Sequence, residues 1–349
     1  MQQIPSFDGH NDALLRLFLS TSSTPEADFL NGTNEGHLDL PRAKKGGMIG
    51  GLFALYSPSS SNLSFDKMKG NYDLPLPPAL HMDTARQSIV AMASMMLRIA
   101  KMSNGAVEIC RTTGEIAAAT RKSALAAVLH IEGAECIDPD LRFLDVLYES
   151  GIRSVGPLWS RPNIFGHGAP MRFPGSPDSG PGLSELGKTL VRRCNEFRIM
   201  IDVSHLTEAG FWDVAKVSHA PLVATHSNVH SICPVPRNLT DGQLDAIKDT
   251  GGLVGLNFAT CFLRRDGQMD ADTSLEIMVE HLDAMLERLG EDHVALGSDF
   301  DGAIIPQRIG SVADLQLLFI ALQKRGYSND LLHKIGSRNW LNTLASTIG

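Results

Sequence analysis

Short apolar runs alternate with longer amphipathic stretches along almost the whole chain. The runs Ile4–Phe7, Ile49–Tyr56, Leu125–His130, Ser154–Leu158, Ile199–Val203, Leu222–Ala224, Leu253–Asn257 and Val294–Leu296 have the length and bounded character of buried strands. Apolar positions recur at helical spacing over Leu80–Met102, Leu141–Glu149, Ser184–Phe197, Glu208–Val217, Asp241–Lys248, Ser274–Leu289, Asp314–Arg325 and Asn329–Leu344. The first gap, Ala13–Gly47, has a weaker pattern and predicts one helix, Ala13–Leu19, followed by irregular chain. Eight strands alternating with helices predict an α/β fold with a parallel sheet, closed as a distorted (β/α)8 TIM-like barrel; an open doubly wound sheet is the alternative.

The length of 349 residues would also admit two domains. The strand count reads it instead as one barrel domain over 1–349. The Gly- and Pro-rich segment Arg161–Gly182 is too long for a compact βα loop, so it is expected to form a lid or pocket wall over the active face. The one biased tract is the serine-rich Ser57–Ser61.

Composition changes this picture in three ways. A net charge of −8 argues against a nucleic-acid partner or an anionic membrane surface. Five cysteines, none in a C-x-x-C pair, argue against a disulfide framework or a thiolate zinc site. The start MQQIPSFDGHND has neither a basic nor an apolar leader region, and no apolar run is long enough for a membrane span. A soluble, cytoplasmic protein is therefore expected, and any metal ligands must come from the twelve histidines and the carboxylates.

The strand ends carry those groups. The first strand runs into Asp8-Gly9-His10-Asn11-Asp12, and the third ends His130-Ile131-Glu132-Gly133. The fifth ends Asp202-Val203-Ser204-His205, the sixth Thr225-His226-Ser227, and the eighth Gly297-Ser298-Asp299-Phe300-Asp301-Gly302. In a barrel all C-terminal strand ends open on one face, so residues far apart in sequence meet in one pocket. His10 and Asp12, at i and i+2 on extended chain, point to the same side. Imidazoles mixed with carboxylates suit Zn²⁺, with Mn²⁺ or Fe²⁺ as alternatives, and a carboxylate can bridge two ions sharing a hydroxide-like water. A lone H-x-D or strand-end histidine is more often structural. Five such elements on one face are not well explained by coincidence.

Other residues receive plainer readings. His230, four positions after His226, has no helix or Glu base to make a zinc pair and reads as a rim residue. His130 is expected to hydrogen-bond deeper in the barrel, with support of the Glu132 bridge as the alternative. His37, His81, His219, His281, His293 and His333 read as ordinary, and Met92, Met95, Met96 and Met102 as core packing on a long helix. Cys233 and Cys261 read as pocket wall without an activating neighbour.

The strand-end segments, with Pro236-Arg237-Asn238-Leu239, resemble the motifs of the membrane (renal) dipeptidase family of the amidohydrolase superfamily, in order and over nearly the whole chain. The resemblance is to a bacterial-type soluble member and implies a binuclear zinc dipeptidase acting on L-Xaa-L-Xaa or L-Xaa-D-Xaa substrates, with a homodimer as the assembly. It implies that His10 and Asp12 hold one Zn²⁺, that His205 and His226 hold the second, and that Glu132 bridges them. Asp299 would take a proton from the bridging water and pass it to the leaving amine, and Arg237 would bind the substrate's carboxylate. One position departs: where the family often carries a substrate-contacting histidine after the fourth strand, the chain has Trp159, in Trp159-Ser160-Arg161-Pro162-Asn163. Trp159, Arg161 and Asn163 are thus candidate substrate contacts. The departure motivates a second reading, a related metal hydrolase acting on a cyclic amide, β-lactam or lactone. A third, a metal-bearing scaffold without activity, is opposed by the intact ligand set together with Asp299.

Overall fold

The strands predicted from the apolar runs all form. In the computed structural model, which describes residues 3–59 and 68–349, they are β1 (Ser6–Asn11), β2 (Met48–Tyr56), β3 (Leu125–Glu132), β4 (Ile152–Gly156), β5 (Met200–Ile201), β6 (Val223–Ala224), β7 (Leu253–Leu256) and β8 (Val294–Leu296). Ser60 and Ser61 of the serine-rich tract lie outside the described residues.

Pairing is parallel throughout the barrel, in the order β1-β2-β3-β4-β5 and β6-β7-β8. Two short bridges join these arcs. Asp202 pairs with Val223 and Asn11 with Phe300, where Val203 N donates to Val223 O at 2.9 Å and Asp12 N to Phe300 O at 2.7 Å. The first and last strands are further tied by Asp8, whose carboxylate accepts Ser298 N at 2.7 Å and Ser298 Oγ at 2.8 Å. Burial pushes the Asp8 carboxyl up to about 6 against the pull of these bonds. The closed eight-stranded α/β barrel is thus distorted, with sparse ladders at β5 and β6.

Side-chain alternation divides the core. Leu52, Ala126, Val128, Val223, Leu253 and Ala295 pack inside the barrel with Phe7, closed off by Trp340, whose Nε1 donates to Leu296 O. The opposite strand faces, such as Phe53, Leu55, Leu129 and Ile131, meet the helices, including Ile89, Met92 and Met96 of Met82–Met102. The methionine run is core packing, except that Met102 is exposed.

Three departures from the predicted elements have local causes. The irregular chain expected after Leu19 instead forms Pro25–Asn31 and Leu40–Gly46. Proline stands in the first turn of each, and Asp39 accepts Arg42 N at 2.9 Å, signals too short for periodicity to reveal. Helix Thr113–Arg121 was likewise missed; it starts on a Thr112 cap. The single helix expected over Asn329–Leu344 is broken by a wider turn at Lys334–Arg338. There Gly336 lies on the Pro5 carbonyl with no room for a Cβ.

The loop Arg161–Gly182 does line the mouth of the barrel. Ala169 N donates to His205 O at 2.8 Å, Arg172–Phe173 pairs with Tyr72–Asp73, and Met171 faces the cavity. Among the described residues no helix is long and apolar enough to cross a membrane.

Candidate metal centre

A register shift between Asp8 and Asn11 sets the first candidate ligands. Phe7 pairs with Gly50, and Asn11 with Phe53 on the opposite face, so Phe7 and His10 both point inward although three residues apart. His10, Asp12, Glu132, His205, His226 and Asp299, from five strand ends, then converge. His10 Nε2 lies 3.4 Å from Asp12 Oδ2 and 3.6 Å from Glu132 Oε1. His205 Nε2 is 2.9 Å, and His226 Nε2 3.6 Å, from that same Glu132 oxygen. Ligand atoms of His10, Glu132 and His226 lie within 4.8 Å of one another, as do those of His10, Asp12 and Asp299.

The far ring nitrogens are held by hydroxyls. Ser160 Oγ stands 3.1 Å from His205 Nδ1, and Thr225 Oγ1 2.7 Å from His226 Nδ1. Thr225 Oγ1 in turn donates to Asp202 Oδ2 at 2.6 Å, so its own hydrogen is committed and it accepts from His226 Nδ1–H. That fixes the His226 tautomer with the Nε2 lone pair facing the cluster. Among the described residues, buried His10 Nδ1 and Nε2 and Asp12 Oδ1 have no hydrogen-bond partner. Such buried polar atoms without partners are costly, and a cation beside them would meet Asp12 Oδ1 and one imidazole nitrogen.

Electrostatics agree. Burial drives the His205 and His226 imidazoles well below their ordinary value, helped by Arg237 and His10, so both are neutral. Burial raises Glu132 well above the usual carboxylate range, as do Asp12 and Asp299 against the pull of His10. Asp299 is raised by burial and by Asp12. Burial disfavours a His10 cation, but Glu132, Asp12 and Asp299 outweigh it and lift the ring to about 10. Crowded carboxylates beside two neutral imidazoles and a third that they draw towards positive charge make an N/O ligand set fitted to a divalent cation.

The cluster floors a cavity of about 290 Å³, where Asp12, Glu132, His205 and Asp299 are polar and Tyr56, Trp159, Met171, Cys261, Phe262 and Met269 form much of the wall. Asp299 sits in the left-handed region, φ 58°, and accepts Asn257 Nδ2 at 3.0 Å. A Cβ on Gly302 would strike the Asp12 and Asp299 carboxylates, which accounts for the glycine closing Asp-Phe-Asp-Gly. Of the four expected substrate contacts, Trp159 lines the cavity, its ring 6.0 Å from that of His205. Arg237 is not among the cavity-lining residues; it is buried beside Phe262 of the wall, its guanidinium 5.3 Å from that ring, and bonded to Ser204 O and His226 O. Its Nε is buried without a partner among the described residues.

Arg161 and Asn163 are not among the cavity-lining residues. Arg161 is fully buried, donating to Glu135 Oε1 at 2.7 Å, Ser57 O at 2.7 Å, Ser59 Oγ at 2.9 Å and Tyr56 Oη at 3.3 Å. Asn163 stitches its own loop, donating to Pro157 O and accepting Phe165 N. His130 Nδ1 meets Ser154 Oγ at 2.9 Å, and its Nε2 stands 3.6 Å from Asp202 Oδ2. His230 bonds Gly175 O. Cys261 lines the wall, while Cys233 packs behind it; all five cysteines are buried and free. Sequence reasoning gave no role to Tyr56, Ser160, Asp202, Thr225 or Asn257, although Asp202 and Thr225 stand three and one residues before the candidate ligands His205 and His226.

An α/β barrel with a buried histidine–carboxylate cluster at the C-terminal ends of its strands defines a metal-dependent hydrolase. The family model "Membrane dipeptidase (Peptidase family M19)" matches residues 1–347. The chain therefore belongs to the membrane dipeptidase family, and it is a metal-dependent dipeptidase. It is 48% identical to the crystal structure of "dipeptidase AC", with a TM-score of 0.97 and full coverage of both chains. It is also 48% identical to a metallopeptidase from Rhodobacter sphaeroides liganded with a phosphinate mimic of the dipeptide L-Ala-D-Ala, with a TM-score of 0.97 over 99% of this chain and 100% of that one. "Dipeptidase verJ" of Clonostachys rogersoniana is 27% identical over 350 residues, covering 99% of this chain and 84% of its own length.

Proposed function

We propose that this chain is a binuclear zinc dipeptidase whose metal ligands are His10, Asp12, Glu132, His205 and His226, with Glu132 shared between the ions. The observation that carries the reading is the approach of three imidazoles to one Glu132 oxygen at 2.9–3.6 Å. When bound, the ions would polarise the scissile carbonyl and lower the pKa of a shared water. Asp299 would take a proton from the attacking water and hand it to the departing amine; burial and Asp12 raise its basicity for the task. The partnerless Nε of Arg237 offers a charged donor to the substrate's C-terminal carboxylate. The small, largely apolar cavity suits a dipeptide with modest side chains. The phosphinate mimic of L-Ala-D-Ala held by the Rhodobacter relative supports an L-Xaa-D-Xaa substrate, beside L-Xaa-L-Xaa.

The test is to count metals in protein purified with zinc, assay both dipeptide series, and compare Asp299→Asn. The expected result is close to two zinc ions per chain and a kcat lower by about 10²–10⁴-fold in the variant. A fully active Asp299→Asn protein would remove the proton role, and turnover of cyclic amides with silence on dipeptides would displace the substrate class.

A further inference from the structure

Beside the polarisation that bound ions would supply, a hydrogen-bond donor to the oxygen that becomes negative as the carbonyl carbon turns tetrahedral lowers the barrier further. Side-chain hydroxyl and N–H donors outside the proposed ligands are few: among the described lining residues they are Tyr56, Ser59 and Trp159. Of these, Tyr56 has the placement the role requires. It ends β2, and its Cα is the register partner of Glu132. Neighbours paired in a parallel sheet project to the same face, so the phenol rises beside the proposed bridging carboxylate. Its ring is fixed against Trp159, at 5.1 Å between centroids.

The groups behind Tyr56 prepare it to donate. Arg161 Nη1 donates to Tyr56 Oη at 3.3 Å, and the guanidinium lies 5.1 Å from the centroids of both Tyr56 and Trp159. Arg161 is anchored by Glu135 and the Ser57 carbonyl, away from solvent. A cation donating to the phenolic oxygen polarises its O–H bond and leaves the hydrogen for another acceptor. Burial holds the phenol proton on, since it raises the Tyr56 pKa.

We propose that Tyr56 is a catalytic residue, the hydrogen-bond donor to the developing oxyanion, with Arg161 as its positioning residue. This rests on the dipeptidase site proposed above. As the water oxygen adds to the carbonyl carbon, the carbonyl π pair moves onto its oxygen, and the Tyr56 hydroxyl shortens its hydrogen bond to that oxygen without giving up the proton. Collapse re-forms the C=O bond and expels the amine, which takes its proton from Asp299. The arrangement also accounts for Arg161, a candidate substrate contact by sequence, acting one residue back from the cavity.

Tyr56→Phe keeps the ring and its packing on Trp159, and Arg161 keeps its other partners. The expected result is a kcat lower by about 10²-fold, with KM and zinc content near those of the unmodified protein. Inhibition by the phosphinate mimic of L-Ala-D-Ala should weaken by a similar factor, because the phosphinyl oxygen occupies the oxyanion's place. Unchanged kcat, or a loss of activity that follows lost zinc while phosphinate affinity per loaded site is unchanged, overturns the proposal. Failure of the underlying site reads differently: the unmodified protein would then be inactive on dipeptides, or Asp299→Asn fully active.

Discussion

His205 Nε2 and His226 Nε2 face each other at 3.1 Å. Thr225 leaves His226 Nε2 as an acceptor; where the Ser160 hydroxyl accepts from His205 Nδ1–H, His205 Nε2 is an acceptor too, and the pair then repels unless a cation stands beside it. Chelation should therefore lower stability as well as activity. Dialysis against a chelator is expected to reduce the melting temperature by roughly 5–10 °C, with recovery on adding zinc. Scanning calorimetry reads this, and identical curves with and without metal would contradict it.

The Thr225 hydroxyl links His226 Nδ1 to Asp202, and its removal isolates one consequence of that link. Thr225→Val should fold, because Val has the same shape, and should bind zinc about 10–100-fold more weakly. Competition with a metal indicator measures the change. Unaltered affinity would make the hydroxyl a mere packing group.

Arg237 can be tested through the substrate rather than the protein. Arg237→Met should raise KM for dipeptides by roughly 10²-fold, as expected for losing a charge-assisted bond to a carboxylate. C-terminally amidated dipeptides, poor substrates of the unmodified enzyme, should distinguish the two proteins little. An equal penalty on both substrate types would place the arginine in a structural role only.

His281 predicts an acid lability independent of the metal centre. Its Nδ1 accepts Val229 N at 3.1 Å and its Nε2 donates to Leu263 O at 2.9 Å, so the Val229 bond needs the neutral ring. Burial lowers its pKa to about 4, against the raising effect of the Leu263 bond. Above about pH 6.5 the ring is neutral in both folded and unfolded chains and costs nothing. As pH falls towards 4 the unfolded chain binds a proton that the native ring refuses. Stability then drops by about 1.4 kcal/mol per pH unit from this group. His281→Gln can make both bonds without titrating and should flatten the pH 6.5–4.5 stability profile in urea unfolding.

The barrel and the gathering of histidines and carboxylates at its strand ends were legible because both are written at strand scale. Val223–Ala224 and Val294–Leu296 are only two and three residues long, yet their apolar character and the polar residues after them marked them. What escaped is decided by contacts between distant segments. Whether Arg161 faces a ligand or Glu135 depends on how the loop after β4 folds back, and no local pattern encodes it. Asn163 looked like a substrate contact because it is polar and near Trp159, but in the loop its amide is worth more as a turn clamp. Tyr56 was hidden in the opposite way, since an aromatic ending an apolar strand reads as core until its register against Glu132 is known.

The seam between Asp8 and Ser298 joins residues 290 positions apart. It closes late in any growing polypeptide, after every other strand has emerged. His10 and Asp299 lie just beyond that seam, so a chain interrupted before its last strand holds all the proposed ligands but neither Asp299 nor the closed pocket. Peptide-cleaving ability is thereby deferred to the finished molecule. The same long-range closure, with its large loop entropy, makes folding slow relative to a helical protein of this size.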